Sequence, residues 1–329
     1  MHYALAASQP KIVDAVMSLA PKGNAVDLVV AAVFAAAALS PSTLLGPVQI
    51  LMGGGGAGLR AIDGRTRQPG MGAPRPRGFL PRDVIPEAAY VGVPALPAAL
   101  AAAHALAGEL SFARVVGPAV ALAKDESDAR REVLARVSRR GALALGEGDL
   151  GEDLVSTAGR LGGGLLTHED FANARPTETE CQLETCGPRA IGRAPWLDDG
   201  APAPTFATEV HVVAAADVRG RIAIACYNVT AEGLDLPAWG LLAPRTAAPV
   251  RRGEPRIRPG EPRPAPAPCV LLSADGVLGG AIGFVGPRGA VSLTSAVESF
   301  FSGMPIESLS PEGTRPTGVL RTPSSARAL

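Results

Sequence analysis

The sequence predicts a mixed α/β (α+β) fold, in which helices cover antiparallel sheets. Residues 208–228 hold two runs rich in β-branched residues, joined by a polar turn that contains glycine, which is the pattern of a hairpin. A second hairpin is predicted over 269–284, because apolar runs flank the turn Ala274–Gly276. Residues 25–39 are almost all small and apolar, as expected for a helix buried against a sheet.

Composition limits the classes of partner. The 31 lysines and arginines balance the 31 aspartates and glutamates, so no net field attracts nucleic acid or an anionic membrane. We therefore expect a small-molecule amide or a protein as the partner. Residues 28–39 form the longest apolar run, which is too short for a membrane span, and the N-terminus lacks a basic leader. A cytoplasmic protein is the prediction.

The sequence predicts neither a metal nor a cofactor. Cys181 and Cys186 are five positions apart, but no cluster of cysteine or histidine accompanies them, so we expect reduced thiols. The chain also lacks a phosphate-loop lysine and the glycine spacing of dinucleotide-binding proteins.

The N-terminal elements follow from periodicity and capping. Apolar residues recur at a helical spacing over 12–19, and Gly23 then interrupts the pattern. Asn24 is predicted to cap the next helix, at about 25–39, with Asp27 facing the first-turn amides.

Gly53–Gly56 is a run of four glycines with two interpretations. Its backbone amides could line an anion or oxyanion site, which makes Gly54 and Gly55 weak candidates for substrate binding. The alternative, which the sequence favours, is a tight passage of backbone beneath another layer.

Loops and helices alternate from there to the first hairpin. Residues 65–82 form a predicted surface loop, and two helices follow at about 98–107 and 112–123. Thr167 is predicted to cap a short helix with Asp170.

Thr208 stands at the mouth of the first hairpin. Where a chain-internal threonine becomes a new N-terminus, it opens a strand in the middle of a sheet, because that strand holds its amine and hydroxyl rigidly. Thr208 is therefore either a nucleophile or the relic of one.

The C-terminal third alternates low-complexity and regular segments. Residues 244–268 are rich in proline and arginine, which is typical of an extended solvated loop, although such a run could bind an acidic partner. A helix is predicted over 291–301. The composition of residues 308–329 predicts a disordered tail.

Along most of residues 3–307 the sequence resembles the γ-glutamyltransferase family of N-terminal-nucleophile (Ntn) hydrolases. The resemblance rests on the order of several short motifs, none of which is specific alone. They are Ala6-Ala-Ser-Gln-Pro10, Gly23-Asn-Ala-Val-Asp27, Gly53-Gly-Gly-Gly56, Val91-Gly-Val-Pro94, Gly117-Pro-Ala-Val-Ala-Leu-Ala123 and Gly163-Gly-Leu-Leu-Thr-His-Glu-Asp170.

The resemblance implies a four-layer αββα sandwich and a precursor that cuts itself before a threonine. Residues 1–204 would be the large-subunit-like region, and residues 205–307 the small-subunit-like region with its central hairpin. Against the family this chain is a shortened member, contracted between the Arg131 and Gly162 regions and just before Thr208.

The resemblance matches two positions to the nucleophile and to the substrate-binding arginine of the family's site. Thr208 corresponds to the nucleophile, although a register that aligns His211 with the family's histidine would put Glu209 there. The arginine that grips the substrate carboxylate falls at Gly70, so that contact is absent.

The remaining matched positions also differ from the family. Gly286 is the candidate oxyanion donor, but the second donor position is Pro287, which has no N–H. Residues that hold the substrate's amino group align near Thr230, Thr246 and Pro249, and a serine pair aligns with Pro264–Ala265.

Two functional interpretations remain open. One is a binding or scaffold pseudoenzyme that is inactive as a γ-glutamyl transferase, since a fold does not carry its activity when the site is altered. The other is a divergent self-processing amidohydrolase or acyltransferase that uses Thr208 on a non-glutamyl amide. A fragment left by gene decay is a third possibility.

Overall fold

The computed structural model describes residues 3–196, 209–286, 288–309, 316–322 and 325–329. The strands are β1 (Tyr3–Ala7), β2 (Val48–Gly54), β3 (Ala57–Gly64), β4 (Thr177–Glu180), β5 (Gln182–Cys186), β6 (Arg189–Arg193), β7 (Glu209–Asp217), β8 (Ile222–Val229), β9 (Gly233–Leu236), β10 (Leu241–Pro244), β11 (Cys269–Ala274), β12 (Val277–Phe284), β13 (Pro316–Thr322) and β14 (Ser325–Ala328). The α-helices are α1 (Pro10–Val16), α2 (Ala25–Leu39), α3 (Leu96–Ala107), α4 (Phe112–Ala123), α5 (Asp128–Arg140), α6 (Gly148–Ala158), α7 (His168–Asn173) and α8 (Gly289–Phe301).

Two six-stranded sheets dominate the described residues. The first has the strand order β1-β7-β8-β2-β3-β4, and the second has the order β14-β13-β12-β11-β6-β5. Neighbouring strands are antiparallel in both sheets. Each sheet combines strands from before residue 204 with strands from after it, so the two regions named from the sequence share both sheets.

Three apolar clusters separate four layers and confirm the predicted αββα sandwich. The first cluster packs α2, α3, α4 and α5 against one face of the first sheet. The second fills the space between the sheets, where Val212 and Ile224 face Leu271. The third packs α8 through Ala296 and Phe300 against the outer face of the second sheet.

Helix α2 is the central helix, and the predicted cap starts it. The Asn24 side chain accepts hydrogen bonds from the Val26 and Asp27 amides, while the Asp27 carboxylate accepts one from the Asn24 amide at 3.0 Å. Fourteen of its fifteen residues are buried, which explains why the sequence shows no polar face. No helix among the described residues is both long and apolar enough to cross a membrane.

The predicted hairpin is confirmed as β7 and β8, and its turn is tied to α2. The Asp217 carboxylate is fully buried and accepts hydrogen bonds from the Arg221 amide at the turn and from the Ala25 amide of α2, both at 3.1 Å. One side chain therefore fixes the hairpin relative to the helix that covers it.

The expectation of a disordered tail over 308–329 is wrong for the residues described there. Strand β13 pairs with β12, and β14 extends the sheet beyond it. Val319 is fully buried between the sheets. The prediction from composition is wrong here because a short apolar stretch can form a strand when the edge of β12 is available for pairing.

Candidate functional site

The start of β7 is a candidate site, because the resemblance to the γ-glutamyltransferase family matches Thr208 to the nucleophile. Thr208 and the preceding Ala207 lie outside the described residues. The next residue, Glu209, is the first of β7. As the sequence predicted for this strand, β7 is interior to its sheet, with β1 on one side and β8 on the other.

His211 forms a polar relay at this end of β7. Its Nδ1 lies 2.8 Å from the Ser8 hydroxyl, and its Nε2 lies 3.5 Å from a carboxylate oxygen of Glu209. These partners favour the tautomer with hydrogen on Nε2, so that Ser8 donates to Nδ1 and Glu209 faces the N–H. The His211 side chain is 8% exposed and that of Glu209 is 60% exposed.

A tyrosine ring packs against one face of the His211 imidazole. The ring of Tyr227 stacks under it, with the centroids 5.6 Å apart and the planes 19° from parallel. Tyr227 is fully buried, and that burial raises the pKa of its phenol, while an interaction with Ser8 lowers it by a smaller amount.

Burial also sets the charge of His211. Loss of solvent lowers the pKa of the imidazole below its ordinary value, and the nearby Glu209 carboxylate raises it by less. A neutral imidazole that accepts a hydrogen bond from a hydroxyl is the arrangement of a general base. The cluster can therefore accept a proton beside the start of β7.

Gly286 follows β12 and lies beside the start of β7, but its amide already donates a hydrogen bond within the protein. Its N–H donates to the Val210 carbonyl at 3.0 Å, which links the loop after β12 to β7. For Gly286 to serve as the predicted oxyanion donor, this hydrogen bond would have to be exchanged for one to substrate. Pro287 lies outside the described residues.

Gly54 and Gly55 are not brought together with the start of β7. Gly53 pairs with Ile222 at one end of β8, whereas Glu209 pairs with Val229 at the other end. Seven residues of extended strand separate these ends, or about 24 Å. The glycines instead line a cavity of about 280 Å³ beside Arg221.

The tight-passage interpretation of these glycines is supported by geometry. Gly54 has φ of +88°, and a Cβ built on it would lie 1.7 Å from the Gly220 carbonyl oxygen. Gly55 also has a positive φ, of +64°, and its Cβ would lie 2.9 Å from the Arg221 side chain. Backbone approach between the two turns therefore requires glycine.

Gly70, where the resemblance expects a carboxylate-gripping arginine, has a structural role. Its amide and that of Met71 donate to the Asp170 carboxylate at 2.9 Å. Asp170 also forms the predicted capping box with Thr167 at the start of α7. Burial raises the pKa of Asp170, and these hydrogen bonds offset part of that shift.

The other positions that the resemblance matches to the family's substrate contacts do not lie together. Thr230 follows β8 directly, and its amide donates to the Ser42 hydroxyl at 3.0 Å, so it lies at the Glu209 end. The Ala265 carbonyl accepts a hydrogen bond at 2.7 Å from the side chain of Gln49, which pairs with Cys226 near the middle of β8. Thr246 and Pro249 lie in the loop layer after β10, where the Thr246 amide donates to the Tyr90 carbonyl at 2.9 Å.

Sequence reasoning missed Ser8 as part of this cluster. Ser8 and His211 are 203 residues apart in the chain, and only the pairing of β1 with β7 brings them together. No sequence motif indicates that pairing, because β1 is a short and mostly small, apolar run that does not specify its partner strand.

Comparison with solved structures identifies the fold. A cephalosporin acylase from Bacillus halodurans is similar to this chain at TM-score 0.71 and 15% identity, over 99% of this chain and 94% of that one. LmbA2991HD is similar at TM-score 0.69 and 12% identity, over 99% and 96%. This chain therefore shares its overall fold with these two proteins, and at these identities the likeness extends to the fold alone.

The other comparisons do not assign the chain to a family. A γ-glutamyltranspeptidase from Helicobacter pylori reaches TM-score 0.49 and 20% identity over 59% of this chain and 70% of that one, too low to support a family assignment. No protein-family model matches the sequence, and no curated protein matches it.

Proposed function

We propose that this chain is a divergent γ-glutamyltransferase-like protein that is inactive as a γ-glutamyl transferase and acts as a binding or scaffold protein. The observation that carries the proposal is the use of the Gly286 N–H, which donates to the Val210 carbonyl instead of pointing at an open site. The position after it is a proline, which cannot donate. A transition-state oxyanion would lack two backbone donors.

The magnitude of that loss favours inactivity. Removal of one oxyanion donor costs about 3 kcal/mol of transition-state stabilisation, or roughly a hundredfold to a thousandfold in rate. The substrate carboxylate would also lack its arginine, because Gly70 stands at that position and its amide is bound by Asp170. These two losses fall on different steps, recognition and chemistry, so they reinforce one another.

A second candidate function is a self-processing amide hydrolase or acyltransferase that acts on a non-glutamyl substrate through Thr208. The observation that favours it is the neutral, buried His211, whose hydrogen bond to Ser8 supplies a proton acceptor at the start of β7. In this mechanism the Thr208 hydroxyl would attack the Ala207 carbonyl, and the acyl group would shift from the Thr208 nitrogen to its oxygen. Water would then hydrolyse the ester, leaving a carboxylate on Ala207 and a free amine on Thr208, which would act as the base.

Mass analysis of the purified protein separates the two candidates. The binding role predicts a single chain of 33.4 kDa for both wild type and Thr208→Ala. The hydrolase predicts two fragments from wild type, with Thr208 as a new N-terminus, and an intact chain from the variant. Two such fragments would overturn the first proposal.

A γ-glutamyl-anilide assay tests the transferase activity directly. We expect no release of the aniline above the rate of a His211→Ala control. Clear turnover by wild type that the control loses would contradict our assignment of Gly70 and Gly286. We also propose a cytoplasmic location for this binding role.

A further inference from the structure

A large cavity lies in the loop layer. Its volume is about 990 Å³, which is within the range that drug-sized ligands occupy. One wall is the loop 72–79, another is α6 with the turn that follows it, and a third is the segment at Pro249 and Val250. The start of β7 contributes no residue to its lining.

The lining is largely apolar. Phe79, Val155, Leu165 and Leu166 are among the lining residues, together with three prolines. Leu161 stands at the rim with 93% of its area exposed. Covering a leucine this exposed with an apolar ligand favours binding, because its apolar surface is removed from water.

The charges that line the cavity are unbalanced. Arg75, Arg77 and Arg160 are exposed, and Glu152 is the one carboxylate in the lining. Within the described part of the chain, none of these three arginines makes an ion pair or a side-chain hydrogen bond, so each guanidinium presents unused donors. The three are available to a bound anion.

The loop wall is held in a defined position. The Phe79 amide donates to the Val250 carbonyl, and the Arg252 amide donates to the Phe79 carbonyl, both at 2.8 Å. Arg256 donates to the Pro76 carbonyl at 2.9 Å. At the other end of the loop, the carboxylate of Asp170 holds Gly70 and Met71. A wall fixed at both ends suits a preformed ligand site.

We infer that this cavity binds an amphiphilic monoanion, a free long-chain acyl carboxylate, with the chain against the apolar lining and the carboxylate among Arg75, Arg77 and Arg160. Apolar walls exclude small hydrophilic anions, and the unpaired arginines select against neutral and cationic chains of the same length. Guanidinium groups match carboxylates because they offer two parallel donors.

This inference rests on the proposed binding role, and it adds the chemical class of the bound ligand. The two can fail separately. Turnover of a γ-glutamyl anilide would contradict the proposed function without affecting the cavity, and failure to bind the anion would remove the ligand class without restoring transferase activity.

Calorimetric titration with dodecanoate, below its micellar concentration, tests the inference. We expect one site per chain on wild type, and no saturable binding of dodecyltrimethylammonium, which has the same chain and the opposite charge. Arg75→Gln/Arg77→Gln/Arg160→Gln should weaken dodecanoate binding at least about tenfold, since hydrogen bonds to a charged group are worth about 1.5–3 kcal/mol. Ser156→Trp, an exposed lining position on α6, should block the cavity.

A control variant distinguishes the effect of the cavity arginines from the effect of the protein's net charge. Arg114→Gln/Arg131→Gln/Arg139→Gln removes three exposed arginines outside the lining of this cavity and should bind dodecanoate as wild type does. Equal weakening by both triple variants, equal binding of the cation, or unchanged binding by Ser156→Trp would each overturn the inference. Binding to anionic phospholipid vesicles without binding to free dodecanoate would assign the surface to a membrane instead, and also overturns it.

Discussion

The Ser8 hydroxyl lies 2.8 Å from Nδ1 of His211, which joins the first strand of the chain to the strand that begins at Glu209. Because His211 is buried and stacks on Tyr227, its imidazole is held in one orientation. A protonated imidazole would donate from Nδ1 to the Ser8 oxygen, so protonation would reverse the direction of this hydrogen bond.

The stability of the protein should therefore depend on His211 at mildly acidic pH. Burial lowers the pKa of this histidine in the folded chain, so the unfolded chain binds the proton first as pH falls. The contribution of His211 is fully present above the unfolded pKa, near 6.5, and is lost as pH falls towards the lowered folded pKa. The loss is at most about 1.4 kcal/mol per pH unit.

Urea unfolding of wild type and His211→Gln at pH 7.5 and pH 5.0 measures this. We expect wild type to lose more unfolding free energy than the variant between the two pH values. Other titrating groups are common to both proteins and cancel in the difference. Equal losses would contradict a buried, neutral His211.

Asp217→Ala should destabilise the fold by about 3 kcal/mol. The buried carboxylate accepts hydrogen bonds from the buried Ala25 amide and the half-buried Arg221 amide, and its removal leaves both donors without this acceptor. Asp14 is exposed on α1, and Asp14→Ala should change stability by less than about 0.5 kcal/mol. Thermal or urea unfolding compares the two, and similar small losses would show that Asp217 does not fix the hairpin to α2.

Gly54→Ala should cost at least about 2 kcal/mol more than Gly56→Ala. Both positions have nearly the same φ, +88° and +87°, so the strain of placing a Cβ at positive φ is shared. A Cβ at Gly54 would meet the Gly220 carbonyl oxygen at 1.7 Å, whereas one at Gly56 meets nothing within 4 Å. The difference in unfolding free energy therefore isolates the close approach of the two turns, and equal costs would contradict it.

Val319→Asp should destabilise the protein by more than about 4 kcal/mol or prevent its folding, because the carboxylate would be buried between the sheets without a partner. Arg327→Ala, in the neighbouring strand, removes an exposed ion pair to Glu307 and should cost at most about 1 kcal/mol. Circular dichroism and urea unfolding compare the variants. A tolerated Val319→Asp would indicate that the C-terminal strands do not pack in solution.

Local chemistry made much of this fold predictable. Asn24 and Thr167 start their helices as expected, since a cap depends on residues within three or four positions. The two hairpins follow from turn residues between apolar runs. The tail was misassigned because its strands exist only where β12 offers an edge to pair with.

The sequence by itself determined the caps at Asn24 and Thr167 and the two hairpins. Only the tertiary structure decided which positions meet. It brought Ser8 to His211, assigned the Gly286 amide to Val210, and separated Gly54 from the start of β7 by the length of a strand. The physical reason is that the choice of strand partners and their register is set by packing of whole layers, and no local pattern of residues encodes it.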